Sequence, residues 1–126
     1  PVILPLHPRT KKKLEKLNVK LDVHVVEPVG YLEMVFLLKN CRVVLSDSGG
    51  VQKEAYFFEK PCIILREQTE WVEIVKAGAA ILTGAHKNQI LKAYTQFSEK
   101  HTCSYPELFG NGQAAHFICE KILAEL

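Results

Sequence analysis

The sequence predicts an α/β domain built on a parallel sheet flanked by helices, and three observations carry that prediction. Short β-branched runs alternate with helix-patterned segments along most of the chain. The 126 residues are 48% hydrophobic and 24% charged, enough for a real core and close to ordinary globular usage. One strand-to-helix junction reads Ser46-Asp47-Ser48-Gly49-Gly50, an opening that lets backbone approach a ligand closely.

Taken in order, Val2 to Leu6 reads as a strand, and Thr10 is placed to cap a short helix through Leu17. Leu21 to Val26 is a valine-rich second strand. Tyr31, Leu32, Val35, Phe36 and Leu38 fall on one wide helical face. Arg42 to Ser46 is the third strand, and Val51 to Phe58 a helix that stops at Glu59-Lys60-Pro61. Cys62 to Leu65 forms the fourth strand. Glu70 to Lys76 is a helix closed by Gly78, and Ala79 to Leu82 a short fifth strand. Helices from about Lys87 to Lys100 and from Gln113 to Leu126 finish the chain, with a Pro/Gly-rich loop between. Strands alternating with helices are βαβ units, whose right-handed crossovers give one parallel sheet, a Rossmann-like domain.

Composition excludes several function classes. Sixteen Lys+Arg against fourteen Asp+Glu leave +2, so no bulk charge draws the chain to nucleic acid or to a membrane surface. The cluster Arg9, Lys11, Lys12, Lys13 reads as the solvated face of the first helix. No apolar run approaches the ~20 residues that span a bilayer. Pro1 to Leu6 lacks a basic n-region and a small-residue cleavage site, so it is not read as a signal peptide. Its direct entry into a strand, with no starting Met, leads to the expectation of a fragment of a longer chain. Cys41, Cys62, Cys103 and Cys119 show no CxxC, and the five histidines are scattered, which points to reduced thiols, a cytoplasmic setting and no metal site.

In parallel α/β sheets ligands sit beyond the carboxyl ends of the strands. That rule selects four loops, around His7, around Val29, at residues 46–50 and at residues 66–70, expected to open on one rim. The informative one is Ser46-Asp47-Ser48-Gly49-Gly50-Val51-Gln52-Lys53-Glu54. Its two glycines remove side chains where the first free N–H groups of a helix point outward, the arrangement that cradles an anion. The Ser48 hydroxyl is available either to a phosphate oxygen or as a helix cap, and the glycines serve either a ligand or simply a tight turn. Glu54 lies one turn beyond Gly50, where a carboxylate suits the two hydroxyls of a ribose. Thr69 and Glu70 are candidate caps for the next helix. Trp71, the only tryptophan, either packs the loop or faces the ligand. His7 is a phosphate donor, a base or a structural residue.

These residues resemble the bacterial non-hydrolysing UDP-N-acetylglucosamine 2-epimerases, and the likeness is to their C-terminal domain. It rests on Asp47-Ser48-Gly49-Gly50-Val51-Gln52-Lys53-Glu54-Ala55, then Lys60-Pro61 and Arg66-Glu67-Gln68-Thr69-Glu70. His7-Pro8-Arg9-Thr10, Tyr31-Leu32 and Phe109-Gly110-Asn111-Gly112-Gln113-Ala114 match in the same order. The resemblance implies the second half of a GT-B-like fold of two Rossmann-like domains, with residues 1–126 as the UDP-binding one. It implies that Ser48, Gly49 and Gly50 bind the diphosphate, Glu54 the uridine ribose, and Val29 and Met34 the uracil, with His7 lining the cleft or an effector site. Relatives often carry Gln and Phe at the positions of Val29 and Met34. Trp71 stands where many have Arg, and Lys53 replaces a frequent Glu, here placed on the solvated side.

The implied reaction inverts C2 of the sugar of UDP-GlcNAc to give UDP-ManNAc, by eliminating UDP and adding it back. It needs no cofactor. The acids and bases of the family lie mainly in an N-terminal domain absent here, so this chain alone is expected to be inactive and to contain no catalytic residue. The expected partners are a UDP-sugar, the missing N-terminal domain and, for the full-length protein, a second copy in a homodimer. Two other functions share the same pattern: the nucleotide-sugar domain of a GT-B glycosyltransferase, and a non-catalytic nucleotide-binding module.

Overall fold

The computed structural model describes residues 1–99 and 103–126. Among them run β1 (Ile3–Pro5), α1 (Pro8–Lys16), β2 (His24–Val26), α2 (Tyr31–Asn40), β3 (Val44–Ser46), α3 (Gly49–Phe57), β4 (Cys62–Ile64), α4 (Val72–Lys76), β5 (Ala80–Leu82), α5 (Lys87–Ser98) and α6 (Ala114–Glu125). The order matches the expectation element for element. Strand pairing is parallel throughout, but it forms two sheets, β1-β2 and β3-β4-β5, where one was expected. Each sheet stays within one of two compact units, Pro1–Asn40 and Cys41–Leu126.

In the first unit, β1 and β2 pair as Ile3 with His24, Leu4 with Val25 and Pro5 with Val26. Helix α1 begins earlier than Thr10 suggests, because Pro8 suits the first helical position: its φ is already helical and it has no N–H to satisfy. His7 is the cap, its Nδ1 accepting the Arg9 N–H at 3.2 Å. The basic cluster is exposed as expected, and Lys11 pairs with Glu27 at 3.2 Å. The apolar face of α2 is only partly used. Leu38 is buried, whereas Tyr31, Leu32 and Phe36 are exposed.

The second unit is organised around β4. Cys62, Ile63 and Ile64 are all buried, the signature of a central parallel strand covered on both faces. β4 pairs with β3 from Val44–Cys62 to Ser46–Ile64 and with β5 from Cys62–Ala80 to Ile64–Leu82. Ile63 packs with Ala93 and Phe97 of α5, while Ala55 and Tyr56 of α3 and Ile74 of α4 are buried too. Each fully buried isoleucine contributes roughly 1.5–3 kcal/mol. Gly78, at φ +77, stops α4 in a left-handed turn that only glycine adopts cheaply. α5 is capped by Glu99, and the expected end at Lys100 lies outside the described residues. α6 buries none of its side chains.

The four cysteines form no disulfide, with Cys62 buried and Cys119 exposed. Burial, with the neighbouring Cys41 adding to it, pushes the Cys62 thiol up from 9.0 to about 12, so it is an inert core residue. Among the described residues no helix is long and apolar enough to cross a membrane, and no group of three potential ligands is placed to hold a metal ion.

Candidate functional site

The site is built at the junction of β3 and α3. Ser46 ends the strand and its Oγ accepts the Ser48 N–H at 3.1 Å, which tightens the turn. Ser48 is the N-cap residue by backbone geometry (φ −87, ψ 125), yet its side chain makes no capping hydrogen bond. The first bond of the helix runs from the Gln52 N–H to the Ser48 carbonyl at 3.1 Å. The N–H groups of Gly49, Gly50 and Val51 therefore precede that bond, and the helix supplies them no acceptor. Of the two alternatives for the Ser48 hydroxyl, the capping one is not realised.

The two glycines differ. A Cβ on Gly49 would overlap the Glu70 carboxylate, so that glycine lets the loop after β4 close against the helix. A Cβ on Gly50 would meet nothing nearer than Ser48 Oγ at 3.9 Å. Packing gives no reason for glycine there, although glycine in a helix costs roughly 0.5–1 kcal/mol relative to alanine. The space beside Gly50 is open to an incoming group.

Glu54 stands four residues beyond Gly50 and so shares its face of the helix. It is half-buried, and among the described residues no ion pair involves it. Gln52, on the turn between, is fully buried; its Oε1 accepts the Thr69 hydroxyl at 2.6 Å. Thr69 Oγ1 in turn accepts the Trp71 N–H at 3.1 Å, a turn-stabilising bond and not the helix cap. Trp71 itself takes the N-cap position of α4, while Glu70 pairs with Arg66 at 3.1 Å. Neither Thr69 nor Glu70 caps α4.

Trp71 packs the loop, the first of its two alternatives. Its indole Nε1–H donates to the Gly49 carbonyl at 2.8 Å, and its ring meets Phe109 edge-on at 5.6 Å. Phe109 also stacks against Tyr56 at 5.6 Å and Phe57 at 5.8 Å, and the Tyr56 hydroxyl donates to the Pro106 carbonyl. Burial pushes the Tyr56 and Tyr105 phenols up, the neighbouring Cys103 adding to the effect on Tyr105, so both stay neutral. Lys53 does not project into solvent as expected. Its Nζ sits 4.6 Å over the Trp71 ring and 4.5 Å over that of Phe109, a cation–π arrangement. The sequence motif around Phe109 carried no sign of this hub beyond an aromatic residue before two glycines, Gly110 and Gly112, both at positive φ.

Ser48, Gly49, Gly50 and Glu54 thus come together on one helix of the second unit. The remaining candidates belong to the first unit. Val29 is half-buried and lines a shallow apolar cavity with Ile3, Val26, Leu32, Phe36 and Leu37. Met34 is half-buried on α2, where its N–H donates to the Gly30 carbonyl at 3.0 Å. His7 is exposed, with its Nδ1 taken up by the α1 cap.

Parallel strands joined through helices, with a glycine-marked helix start just beyond a strand's carboxyl end, define an α/β protein of the Rossmann-like class. Within that class the chain belongs to the UDP-N-acetylglucosamine 2-epimerase family, whose sequence profile matches residues 1–123. It is 52% identical over 122 residues to the UDP-2,3-diacetamido-2,3-dideoxy-D-glucuronate 2-epimerase of Pseudomonas aeruginosa, covering 97% of this chain and 34% of that protein. It is 44% identical over 124 residues to the UDP-N-acetylglucosamine 2-epimerase of Methanocaldococcus jannaschii, covering 93% and 33% respectively. The crystal structure of a Methanocaldococcus jannaschii UDP-GlcNAc 2-epimerase in complex with UDP-GlcNAc and UDP superposes with a TM-score of 0.82 at 40% identity, over 97% of this chain and 35% of that one. The chain thus spans about a third of the length of the relatives it matches.

Proposed function

We propose that this chain is the UDP-binding part of a UDP-N-acetylglucosamine 2-epimerase that interconverts UDP-GlcNAc and UDP-ManNAc by eliminating UDP and adding it back. One observation carries the reading: three N–H groups at the start of α3 lack a partner in the helix, beside a glycine whose missing side chain leaves open space. Ser48, Gly49 and Gly50 hold the diphosphate there, and fixed dipoles stabilise the negative charge that grows on departing UDP. Glu54 accepts hydrogen bonds from the two ribose hydroxyls. Val29 and Met34 meet the uracil, and His7 lines the cleft through Nε2. The acids and bases that move the C2 proton lie in the rest of the enzyme, so this chain alone does not turn over. The whole protein works in the cytoplasm as a homodimer.

The 52% identity to an enzyme named for a diacetamido-glucuronate favours a second reading for the sugar alone. Diphosphate and uridine contacts are common to both readings, which diverge at the pyranose. Competition between UDP-GlcNAc and the uronate for the full-length enzyme separates them.

The test of the site is an NMR titration of this chain with UDP, UMP and ADP. With only part of a cleft, UDP binds with Kd near ~1 mM, about −4 kcal/mol. Shifts over residues 48–54 that favour UDP and are lost in Glu54→Ala support the reading. Equal shifts with ADP, or none at saturating UDP, overturn it.

A further inference from the structure

We propose that Trp71 is a positioning residue for the diphosphate, acting through the Gly49–Gly50 peptide; this rests on the UDP site proposed above. The peptide unit is planar and trans, so the Gly49 carbonyl and the Gly50 N–H point in opposite directions. Fixing one fixes the other. The indole Nε1–H holds the Gly49 carbonyl at 2.8 Å from a loop 22 residues along the chain, which aims the Gly50 N–H away from that loop. A Cβ on Gly50 would meet nothing nearer than Ser48 Oγ at 3.9 Å, so this end of the peptide is uncrowded.

The indole is itself held on several sides. Phe109 meets it edge-on at an interplanar angle of 86°, and Lys53 Nζ lies 4.6 Å over its ring. Its backbone N–H donates to Thr69 Oγ1 at 3.1 Å, and the Thr69 hydroxyl donates to the buried Gln52 at 2.6 Å. One residue therefore ties the first turn of α3 at two points, by its ring at Gly49 and by its backbone through Thr69 at Gln52. A third contact seals the same side, where the Glu70 carboxylate occupies the place of the missing Gly49 side chain. The loop closes one flank of the helix terminus and leaves the Gly50 flank for the anion.

The experiment is a UDP titration of the nitrogen-labelled chain and of Trp71→Phe, which keeps an aromatic ring and removes the N–H. In the parent chain the Trp71 indole N–H and the Gly49 and Gly50 amides shift together with one Kd. In Trp71→Phe, UDP binding weakens about threefold to tenfold, the loss expected for one neutral hydrogen bond, while the far-UV spectrum is unchanged. Binding within twofold of the parent overturns the positioning role alone. If the variant does not fold, the parent decides: an indole signal that stays still while Gly50 titrates overturns the role. No response at Gly49 or Gly50 in the parent overturns the UDP site, and the role with it.

Discussion

Two helices of this chain start directly after a parallel strand, and they start in opposite ways. α1 is closed by its own sequence: Pro8 has no N–H to satisfy, and His7 takes up the Arg9 N–H. α3 has a serine in the equivalent position, a residue type that normally caps, and leaves it unused while two glycines follow. The first terminus is a structural solution to the orphan donors of a helix. The second leaves those donors without a side-chain cap. What separates them is not cap propensity, since serine is the better cap by type, but whether the side chain turns inward.

The comparison holds only while the scaffold does, and the largest effect is on that scaffold. Cys62 in the folded chain ionises at about 12 against 9.0 for an ordinary thiol. Its contribution is therefore fully present below pH 9 and lost as pH rises through 12, by about 4 kcal/mol in all. Urea unfolding at a series of alkaline pH values should show this slope, and Cys62→Ala should flatten it.

Gly50→Asp breaks the difference between the termini. Its Cβ has room, and a carboxylate at a helix start is favourable by roughly 0.3–1 kcal/mol. The melting temperature should hold or rise, while UDP binding falls by about thirtyfold or more, roughly 2 kcal/mol, as the cradle fills with its own anion. Titration calorimetry beside thermal unfolding reads both signs. Glu54→Ala sharpens the assignment within the open terminus. It should weaken UDP about tenfold and leave inorganic pyrophosphate binding unaltered, because pyrophosphate has no ribose.

The smallest effects test the caps directly. His7→Ala should cost about 1 kcal/mol of stability by denaturant unfolding, the usual loss for a cap. Ser48→Ala should change stability by less than about 0.5 kcal/mol, since its hydroxyl caps nothing. Equal losses at the two positions would erase the contrast.

Much of the fold was legible because its signals are local. The Cys62 to Leu65 run reads as a strand and Gly78 as a stop, and both hold; of the two glycines read as an opening, Gly49 is filled by the Glu70 carboxylate and only Gly50 leaves open space. Other local readings do not carry over. Thr10 yields to His7 because proline at position 8 sets the helix start, and the face of α2 is buried only at Leu38 although Tyr31, Leu32 and Phe36 share its apolar pattern. At the candidate site Ser48, Gly49, Gly50 and Glu54 could be picked out together because they share one short segment. Lys53 could not be placed, because a lysine's surroundings are set by what packs beside it.

The sequence alone determined the order of strands and helices, the stop at Gly78 and the pair of glycines at the start of α3. Those follow from periodicity, apolar runs and backbone freedom, which act over a few residues. Only the tertiary structure decided that Ser48 leaves the helix uncapped, that Trp71 grips Gly49 and that Phe109 gathers Tyr56, Phe57, Trp71 and Lys53 around one ring. A hydrogen bond or a ring contact needs two groups brought within a few ångströms, and for residues far apart in the chain only packing sets that distance.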